Sequence, residues 1–242
     1  MDASIRLLPL ETRSGPENMA ADETLLLSAQ DGVASLRFYQ WSPATLSLGY
    51  FQAANSRLSD PRLAPLAYVR RLSGGQALVH HLEVTYCLAL PHGPCQHGEP
   101  WRERMHRIIA AAFRSLGVEL APAAQEQQDP STILCFRQIT PGDLLCRGAK
   151  VVGSAQRKRG QCLLQHGGIL LAMSSHTPSL PGTRELSGRS VSAEQIRDAV
   201  VAAFRIDTSW GIEESVWATP ELEALHRLVE TRYGTARWND KK

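Results

Sequence analysis

A cysteine and a lysine lie fifteen residues apart in the second half of the chain. Cys135 precedes Phe136, and Lys150 lies inside segment 148–156, which reads GAKVVGSAQ. A cysteine thiolate can attack a thioester carbonyl, and a nearby ammonium favours the thiolate over the thiol. The lysine could instead orient an acyl carbonyl or a phosphate. Because a single cysteine is more often an inert core residue, composition alone leaves a packing role for Cys135 open.

Segment 70–80 (RRLSGGQALVH) is a second candidate for chemistry. Its adjacent Gly74 and Gly75 follow a predicted strand, and such a turn lets backbone N–H groups approach a ligand. Arg70 and Arg71 beside the turn could hold a phosphate or a carboxylate. A tight hairpin with solvated arginines explains the same residues. The segment matches neither the phosphate loop G-x-x-x-x-G-K nor the dinucleotide turn G-x-G-x-x-G.

The histidines and the remaining glycine pair give weaker signals. Adjacent His80 and His81 point to opposite faces of a strand, so they cannot share one ion, and we expect no metal site. In segment 165–170 (QHGGIL), Gly167 and Gly168 interrupt a strand. Their exposed backbone could approach a ligand, although a β-bulge is the simpler interpretation.

Composition narrows the class of protein. The 242 residues carry 26 Lys and Arg against 24 Asp and Glu, a net charge of +2, which offers no general surface for nucleic acid or membranes. The five cysteines are odd in number and form no C-x-x-C pair, which is typical of a reducing compartment. The chain shows no signal-peptide run and no apolar stretch of about 20 residues. We therefore expect a cytoplasmic protein.

Hydrophobic periodicity predicts an α+β fold with a mixed, mostly antiparallel sheet flanked by helices. The predicted strands cover 5–10, 35–41, 45–50, 67–71, 84–90, 143–145, 150–154 and 162–171. The predicted helices cover 18–30, 101–116, 192–204 and 220–233, the last two with Ser192 and Thr219 as N-caps. Segments 122–131 and 171–190 are predicted loops. Because no linker interrupts the chain, we expect one domain over residues 1–242.

Several motifs occur in order between residues 18 and 239. They are NMAADE (18–23), LRFYQW (36–41), LSLGYFQ (46–52), segment 70–80, GSAQ (153–156), LQHG (164–167) and YGTARWN (233–239). Together they resemble the lipoate-protein ligase A/octanoyltransferase family, which is similar in fold to biotin protein ligases and class II synthetases. The resemblance implies one biotin/lipoate protein ligase catalytic domain over residues 1–242, with no C-terminal accessory domain.

The resemblance also implies the site residues. Octanoyltransferases of this fold place their acyl-accepting cysteine in a Cys-Phe pair ahead of a Gly-x-Lys-Val/Ile-x-Gly-Ser-Ala-Gln motif, and Cys135 and Lys150 match that pattern. They also tolerate a non-glycine residue at position 76. The implied catalytic residues are Cys135 and Lys150. The implied substrate-binding residues are Arg70, Ser73, Gly74, Gly75, Gln76, Ala77, His80, Gly153, Ser154, Ala155, His166 and Gly167.

The implied reaction moves an octanoyl group from acyl carrier protein to Cys135, and then to a lysine of a lipoyl domain or of glycine-cleavage H protein. It needs no cofactor. Backbone N–H groups near residues 74–76 would stabilise the oxyanion. The basic segments 70–71 and 157–159 could meet the acidic surface of a carrier protein, although solvated loops explain them equally well.

Two alternatives remain open. An ATP-dependent lipoate-protein ligase would bind ATP and magnesium, hold a lipoyl-adenylate with Arg70, the glycine turn and Lys150, and use Cys135 only for packing. Such ligases usually carry a third glycine where this chain has Gln76. His81 departs from the acid that is common at this position in the family as a whole. A non-catalytic lipoyl-binding relative is the other alternative, and the retained cysteine and lysine argue against it.

Overall fold

The structure is a computed structural model that describes residues 3–92, 95–96 and 98–241. Its strands are β1 (Ser4–Leu7), β2 (Glu11–Arg13), β3 (Ser35–Trp41), β4 (Thr45–Leu48), β5 (Ala67–Arg70), β6 (Leu78–His80), β7 (Glu83–Leu90), β8 (Cys95–Gln96), β9 (Glu99–Pro100), β10 (Ala121–Pro122), β11 (Leu144–Cys146), β12 (Ala149–Arg159), β13 (Cys162–Leu170) and β14 (Gly211–Glu214). Its α-helices are α1 (Gly15–Gln30), α2 (Trp101–Ser115), α3 (Thr183–Ser187), α4 (Ala193–Thr208), α5 (Thr219–Leu228) and α6 (Ala236–Asn239).

The larger sheet has the strand order β10-β11-β12-β13-β7-β3-β1-β14, with β2 paired to β3. From β10 to β3 all neighbours run antiparallel. Strand β1 is parallel to both β3 and β14, and β2 is parallel to β3. The predicted α+β fold with a mixed, mostly antiparallel sheet is therefore confirmed.

Strand β7 shows how two helical layers cover this sheet. All eight of its residues are buried. Tyr86 and Leu88 contact the core built with α2 and α4, whereas Cys87 and Ala89 contact the core built with α1 and α5. Because successive side chains on a strand point to opposite faces, a nearly continuous apolar run fits a strand that is covered on both sides.

Helix α1 begins earlier than the predicted Asn18. The Ser14 hydroxyl accepts a hydrogen bond from the N–H of Glu17, and the Glu17 carboxylate accepts one from the N–H of Ser14 at 2.9 Å. This reciprocal capping box fixes the start at Gly15. The helix is not simply amphipathic, because its polar residues Asn18 and Asp22 are buried.

The smaller sheet, with the order β5-β4-β6, carries the glycine-rich turn between β5 and β6. Strand β4 is parallel to β5 and antiparallel to β6. A third apolar core fixes this sheet against the segment before Cys135, through residues that include Leu46, Val79 and Leu134. The sheet therefore holds the glycine turn and the cysteine segment side by side.

Several predicted boundaries were wrong. The first strand ends at Leu7, because Pro9 interrupts the ladder before β2. Thr219 is not an N-cap but the first residue of α5, and the Glu221 carboxylate accepts from the preceding Ala218 N–H at 3.0 Å. The predicted loop 171–190 contains α3, and β14 and α6 were not predicted. No helix in the described ranges is long and apolar enough to cross a bilayer.

Candidate active site

A cavity opens between the two sheets and α1, with about 510 Å³ of space when its open mouth is counted. Nine predicted site residues line it: Gly75, Gln76, His80, Cys135, Gly153, Ser154, Ala155, His166 and Gly167. The other lining residues were not predicted as site residues: Met19, Tyr39, Trp41, Ser47, Arg71, Leu78, Thr85, Phe136 and Gly168. The sequence motifs therefore converge on one cavity, and aromatic and aliphatic side chains supply much of its wall.

The thiol of Cys135 lies beside the ammonium of Lys150. The Nζ of Lys150 is 3.7 Å from the Cys135 Sγ. It also donates to the carbonyl oxygen of Gln138 at 2.9 Å and forms an ion pair with the Asp143 Oδ2 at 2.7 Å. Lys150 stands just behind the cavity wall, since a Cβ built on Gly153 would lie 2.6 Å from the Lys150 Cε. The structure thus holds a buried cation against a half-buried, free thiol.

Two backbone hydrogen bonds join the cysteine segment to the glycine turn. The Ala77 N–H donates to the carbonyl oxygen of Ile133 at 2.8 Å, and the Cys135 N–H donates to that of Ala77 at 2.7 Å. Ala77 was predicted to bind substrate, but it does not line the cavity. Its backbone instead positions the thiol.

Arg71 holds the glycine turn from inside the protein. Its Nη2 donates to the carbonyl oxygens of Gly74 and Gln76, both at 2.7 Å, and its Nη1 donates to that of Ser47 at 3.0 Å. Burial lowers the pKa of the Arg71 guanidinium, while the charge of the nearby Cys135 thiolate acts in the opposite direction. Cys135 therefore lies near two cations, Lys150 and Arg71.

Arg70 points away from the cavity. It was predicted to bind substrate, but its fully buried guanidinium donates, within the described ranges, only to backbone carbonyl oxygens. The acceptors are Gly49, Tyr50, Gln52, Trp238, Asn239 and Lys241. Arg70 thus joins the glycine turn to the C-terminal segment. Neither Arg70 nor Arg71 forms the basic surface that was predicted for residues 70–71, because both side chains are buried.

The glycine turn leaves backbone donors free. Within residues 3–92, 95–96 and 98–241, the N–H groups of Gly74, Gly75 and Gln76 have no hydrogen-bond partner. Gly75 has φ +87°, and a Cβ built on Gly49 would lie 1.8 Å from the Gly75 carbonyl oxygen. Both positions therefore require glycine. The free N–H groups are suitably placed to bind a developing oxyanion, because Gly75 and Gln76 line the cavity.

His166 joins α1 to the glycine turn. Its Nδ1 is 2.8 Å from the Asp22 Oδ2, and its Nε2 is 2.5 Å from the Ser73 Oγ. Asp22 also accepts from the Tyr39 hydroxyl at 2.8 Å. Ser73 was predicted to contact substrate, but it lies behind the cavity wall and orients His166. Because both ring nitrogens are occupied, His166 offers the cavity its ring rather than a free base.

His80 is held in the same way. Its Nδ1 is 2.9 Å from the Glu83 Oε1, its Nε2 is 2.8 Å from the Ser47 Oγ, and the Trp41 ring stacks on it at 3.7 Å. Burial lowers the pKa of His80 despite the neighbouring carboxylate. The imidazole is therefore neutral at pH 7 and forms part of the wall.

Ser154 belongs to a third histidine network. Its Oγ is 2.6 Å from the Tyr86 hydroxyl and 2.5 Å from the His106 Nε2. Burial lowers the pKa of His106 to about 4, so the ring is neutral and only one of its nitrogens carries a proton at pH 7. Because the His106 Nδ1 donates to the Gly142 carbonyl oxygen at 2.7 Å, its Nε2 accepts from Ser154.

The interpretation of Gly167 and Gly168 as a β-bulge was wrong. Both pair in regular register with β12 and β7. A Cβ on Gly167 would lie 2.5 Å from the Ser154 Oγ, and one on Gly168 would lie 2.9 Å from the Leu78 Cδ2. Glycine is needed because neighbouring strands and side chains approach closely.

In the described part of the chain, no group of three or more His, Cys, Asp and Glu residues is arranged to hold a metal ion. The fold agrees with the lipoate-attachment family that the sequence motifs resemble. The family model for the lipoyl protein ligase A/B catalytic domain matches residues 14–180. The chain belongs to that family.

Curated relatives are similar over most of their length. The chain is 32% identical to octanoyltransferase LipM of Symbiobacterium thermophilum, covering 100% of both chains. It is 36% identical to octanoyltransferase LipM of Moorella thermoacetica, covering 82% of this chain and 84% of the relative.

Solved structures share the fold. Protein Ta0514 of T. acidophilum with bound lipoic acid superposes with a TM-score of 0.81 at 21% identity, covering 99% of this chain and 100% of that one. A bi-partite lipoate protein ligase of Thermoplasma acidophilum, described with its E2 lipoyl domain, gives a TM-score of 0.75 at 22% identity, covering 98% and 96%.

Proposed function

We propose that the chain is an octanoyltransferase of protein lipoylation, which moves an octanoyl group from acyl carrier protein through a thioester on Cys135 to a carrier lysine. The observation that carries this proposal is the 3.7 Å contact between the Lys150 Nζ and the Cys135 Sγ beside the cavity. The LipM relatives, which are octanoyltransferases by name, support the acyl group and the reaction class.

In the first step, the Cys135 thiolate attacks the carbonyl carbon of the donor thioester. The new C–S bond forms at Cys135, the donor C–S bond breaks, and the donor thiol leaves with the proton that Cys135 has lost. Lys150 and Arg71 stabilise the attacking thiolate electrostatically. The free N–H groups of Gly75 and Gln76 stabilise the tetrahedral oxyanion.

In the second step, a neutral lysine amine of the acceptor attacks the Cys135 thioester. The amide C–N bond forms, the C–S bond to Cys135 breaks, and the amine proton restores the thiol. The acceptor is a lipoyl domain or glycine-cleavage H protein. A lipoyl domain is the partner described for the Thermoplasma ligase of the same fold.

The apolar part of the cavity wall fits a medium-length acyl chain. Met19, Leu78 and Phe136 supply aliphatic and aromatic surface, and Trp41 and Tyr39 add two further rings. Burying about six methylenes at ~0.8 kcal/mol each would contribute roughly 5 kcal/mol to acyl binding. That is enough to discriminate chain length coarsely.

The test supplies the purified chain with octanoyl-acyl carrier protein and a lipoyl domain, without ATP. Acylation of the lipoyl lysine, lost in Cys135→Ala, is the result that the transferase predicts. The ligase alternative predicts no transfer under these conditions, and acylation by free octanoate or lipoate only with ATP and magnesium. That second pattern, retained in Cys135→Ala, would overturn the proposal.

A further inference from the structure

A second cleft lies where β12, α1 and the C-terminal segment meet. It has about 780 Å³ of space when its open side is counted, and four of its nine lining side chains are cationic. These are Arg157, Arg159, Arg232 and Lys241, which we call the basic cleft. The single acidic lining residue is Glu23, which leaves a formal excess of three positive charges.

Glu23 is already bound by part of the cluster. Its carboxylate accepts from both Arg232 and the Tyr233 hydroxyl, and its Oε1 lies 3.7 Å from the Arg159 Nη1. The side-chain cations of Arg157 and Lys241 have no ion-pair partner among the residues that the structure describes, and both lie against aromatic rings. The cleft therefore keeps cations available for an anion from outside.

Aromatic rings hold these cations at the cleft. The Arg157 guanidinium lies 5.6 Å from the Tyr50 ring centroid, and the Lys241 Nζ lies 4.1 Å from that of Trp238. The two rings are themselves in edge contact at 5.8 Å. Cation–π contacts of this kind position a charge without neutralising it.

The basic cleft lies farther along β12 than the cavity. Arg157 and Arg159 follow Ala155, which lines the cavity, on the same face of β12. Tyr50, which also lines the cleft, packs edge-on against Phe51 with 4.9 Å between the ring centroids. The Phe51 side chain is 80% exposed. The Phe51 ring covers Gly74, next to the cavity-lining Gly75.

The distances suit a donor whose acyl group sits on a long arm. From Gly153, which lies between Lys150 and the cavity, strand rise places Arg157 about 13 Å away and Arg159 about 20 Å away. An extended phosphopantetheine arm spans about 15 Å from its sulfur to its phosphate. A thioester at Cys135 would therefore bring the phosphate of the arm to the basic cleft.

We propose that the basic cleft binds the phosphate of the phosphopantetheine arm that presents the acyl thioester to Cys135. This inference rests on the proposed transferase function and adds a site for the donor. Arg157 and Arg159 contribute charge-assisted hydrogen bonds to the phosphate oxygens, and Lys241 contributes a point charge.

The test measures the rate at which Cys135 is acylated by octanoyl-carrier protein, octanoyl-phosphopantetheine, octanoyl-coenzyme A and the phosphate-free octanoyl-pantetheine. In Arg157→Gln/Arg159→Gln we expect kcat/KM to fall about tenfold for the three phosphate-bearing donors. The rate with octanoyl-pantetheine is expected to stay unchanged. Lys158→Gln is the matched control, since it removes an exposed charge from the opposite face of the same strand.

Other outcomes would contradict the proposal that the basic cleft binds this phosphate. An equal loss for all four donors would show that the double variant disturbs the cavity. A loss confined to octanoyl-carrier protein would assign the cleft to the carrier's acidic surface, and unchanged rates with all four donors would show that the cleft does not bind the donor. Failure of the proposed function gives a different result, because the unmodified chain would then be acylated by none of the donors.

Discussion

The two sides of the cavity differ in how completely their polar groups are bonded. On one side, Cys135 has a free thiol beside Lys150, and the glycine turn has N–H groups without partners in the described part of the chain. On the other side, His80 and His166 line the cavity and His106 lies behind Ser154, and all three have both ring nitrogens occupied. We call these three residues the histidine wall.

This difference indicates where chemistry takes place. A titratable group whose hydrogen bonds are all made within the protein has its orientation fixed and offers no lone pair or proton to a substrate. A thiol with a cation beside it and few other partners can react. The histidines, which resemble catalytic bases in a sequence, are therefore fixed in place, and under the proposed function the transfer takes place at Cys135.

Replacing Lys150 should have the largest effect. In Lys150→Met we expect the acylation rate to fall by about 10²–10³-fold, because the thiolate loses its nearest cation. We also expect the free energy of unfolding to fall by about 3–5 kcal/mol, since Asp143 is left buried without its ion-pair partner. Single-turnover kinetics and urea denaturation measure the two effects.

The double variant Asp143→Asn/Lys150→Met separates these effects. It should recover much of the lost stability, since no buried carboxylate remains unpaired, but none of the lost rate. Recovery of both would show that Lys150 acts only by holding the fold.

The histidine wall should instead show itself in the pH dependence of stability. Because the pKa of His106 is lowered from 6.5 to about 4, its neutral form stabilises the fold fully above pH 6.5, and this contribution is lost as the pH falls towards 4. Between pH 7 and pH 4, the unmodified chain should lose about 3 kcal/mol more unfolding free energy than His106→Gln. Parallel curves for the two proteins would contradict a neutral, buried His106.

His166→Ala gives the smallest expected effect. Removing the ring leaves Asp22 and Ser73 each with one hydrogen bond fewer. This loss should lower the free energy of unfolding by about 1–3 kcal/mol. Because we assign His166 no proton transfer, acylation at saturating donor should fall by less than tenfold, measured by the same single-turnover assay. A fall of more than about a hundredfold would show that His166 takes part in the reaction.

Much of the fold could be predicted from the sequence because its strands have strong patterns. Strand β7 is a nearly continuous apolar run, and β3 was predicted with its observed bounds. The start of α1 was missed because Ser14 and Glu17, which form its capping box, were not recognised. Strand β14 was missed because its pairing with β1 joins residues about 200 positions apart.

The site was predictable where motifs of a known family could be recognised in the sequence. The resemblance implied Cys135 and Lys150 as a pair, and the structure places them in contact. Arg70 and Arg71 show what could not be predicted from the sequence. Strand alternation allows only one of two adjacent side chains to face the cavity, but it does not say which one. That choice is made by carbonyl acceptors from the distant C-terminal segment, which surround Arg70.

Intact-protein mass spectrometry of the chain mixed with octanoyl-acyl carrier protein, without ATP, tests the central claim most directly. We predict one octanoyl increment, located on Cys135 by peptide mapping, absent in Cys135→Ala and lost when a lipoyl domain is added. An increment that persists in Cys135→Ala, or a Cys135 thioester that the lipoyl domain cannot discharge, would contradict the account.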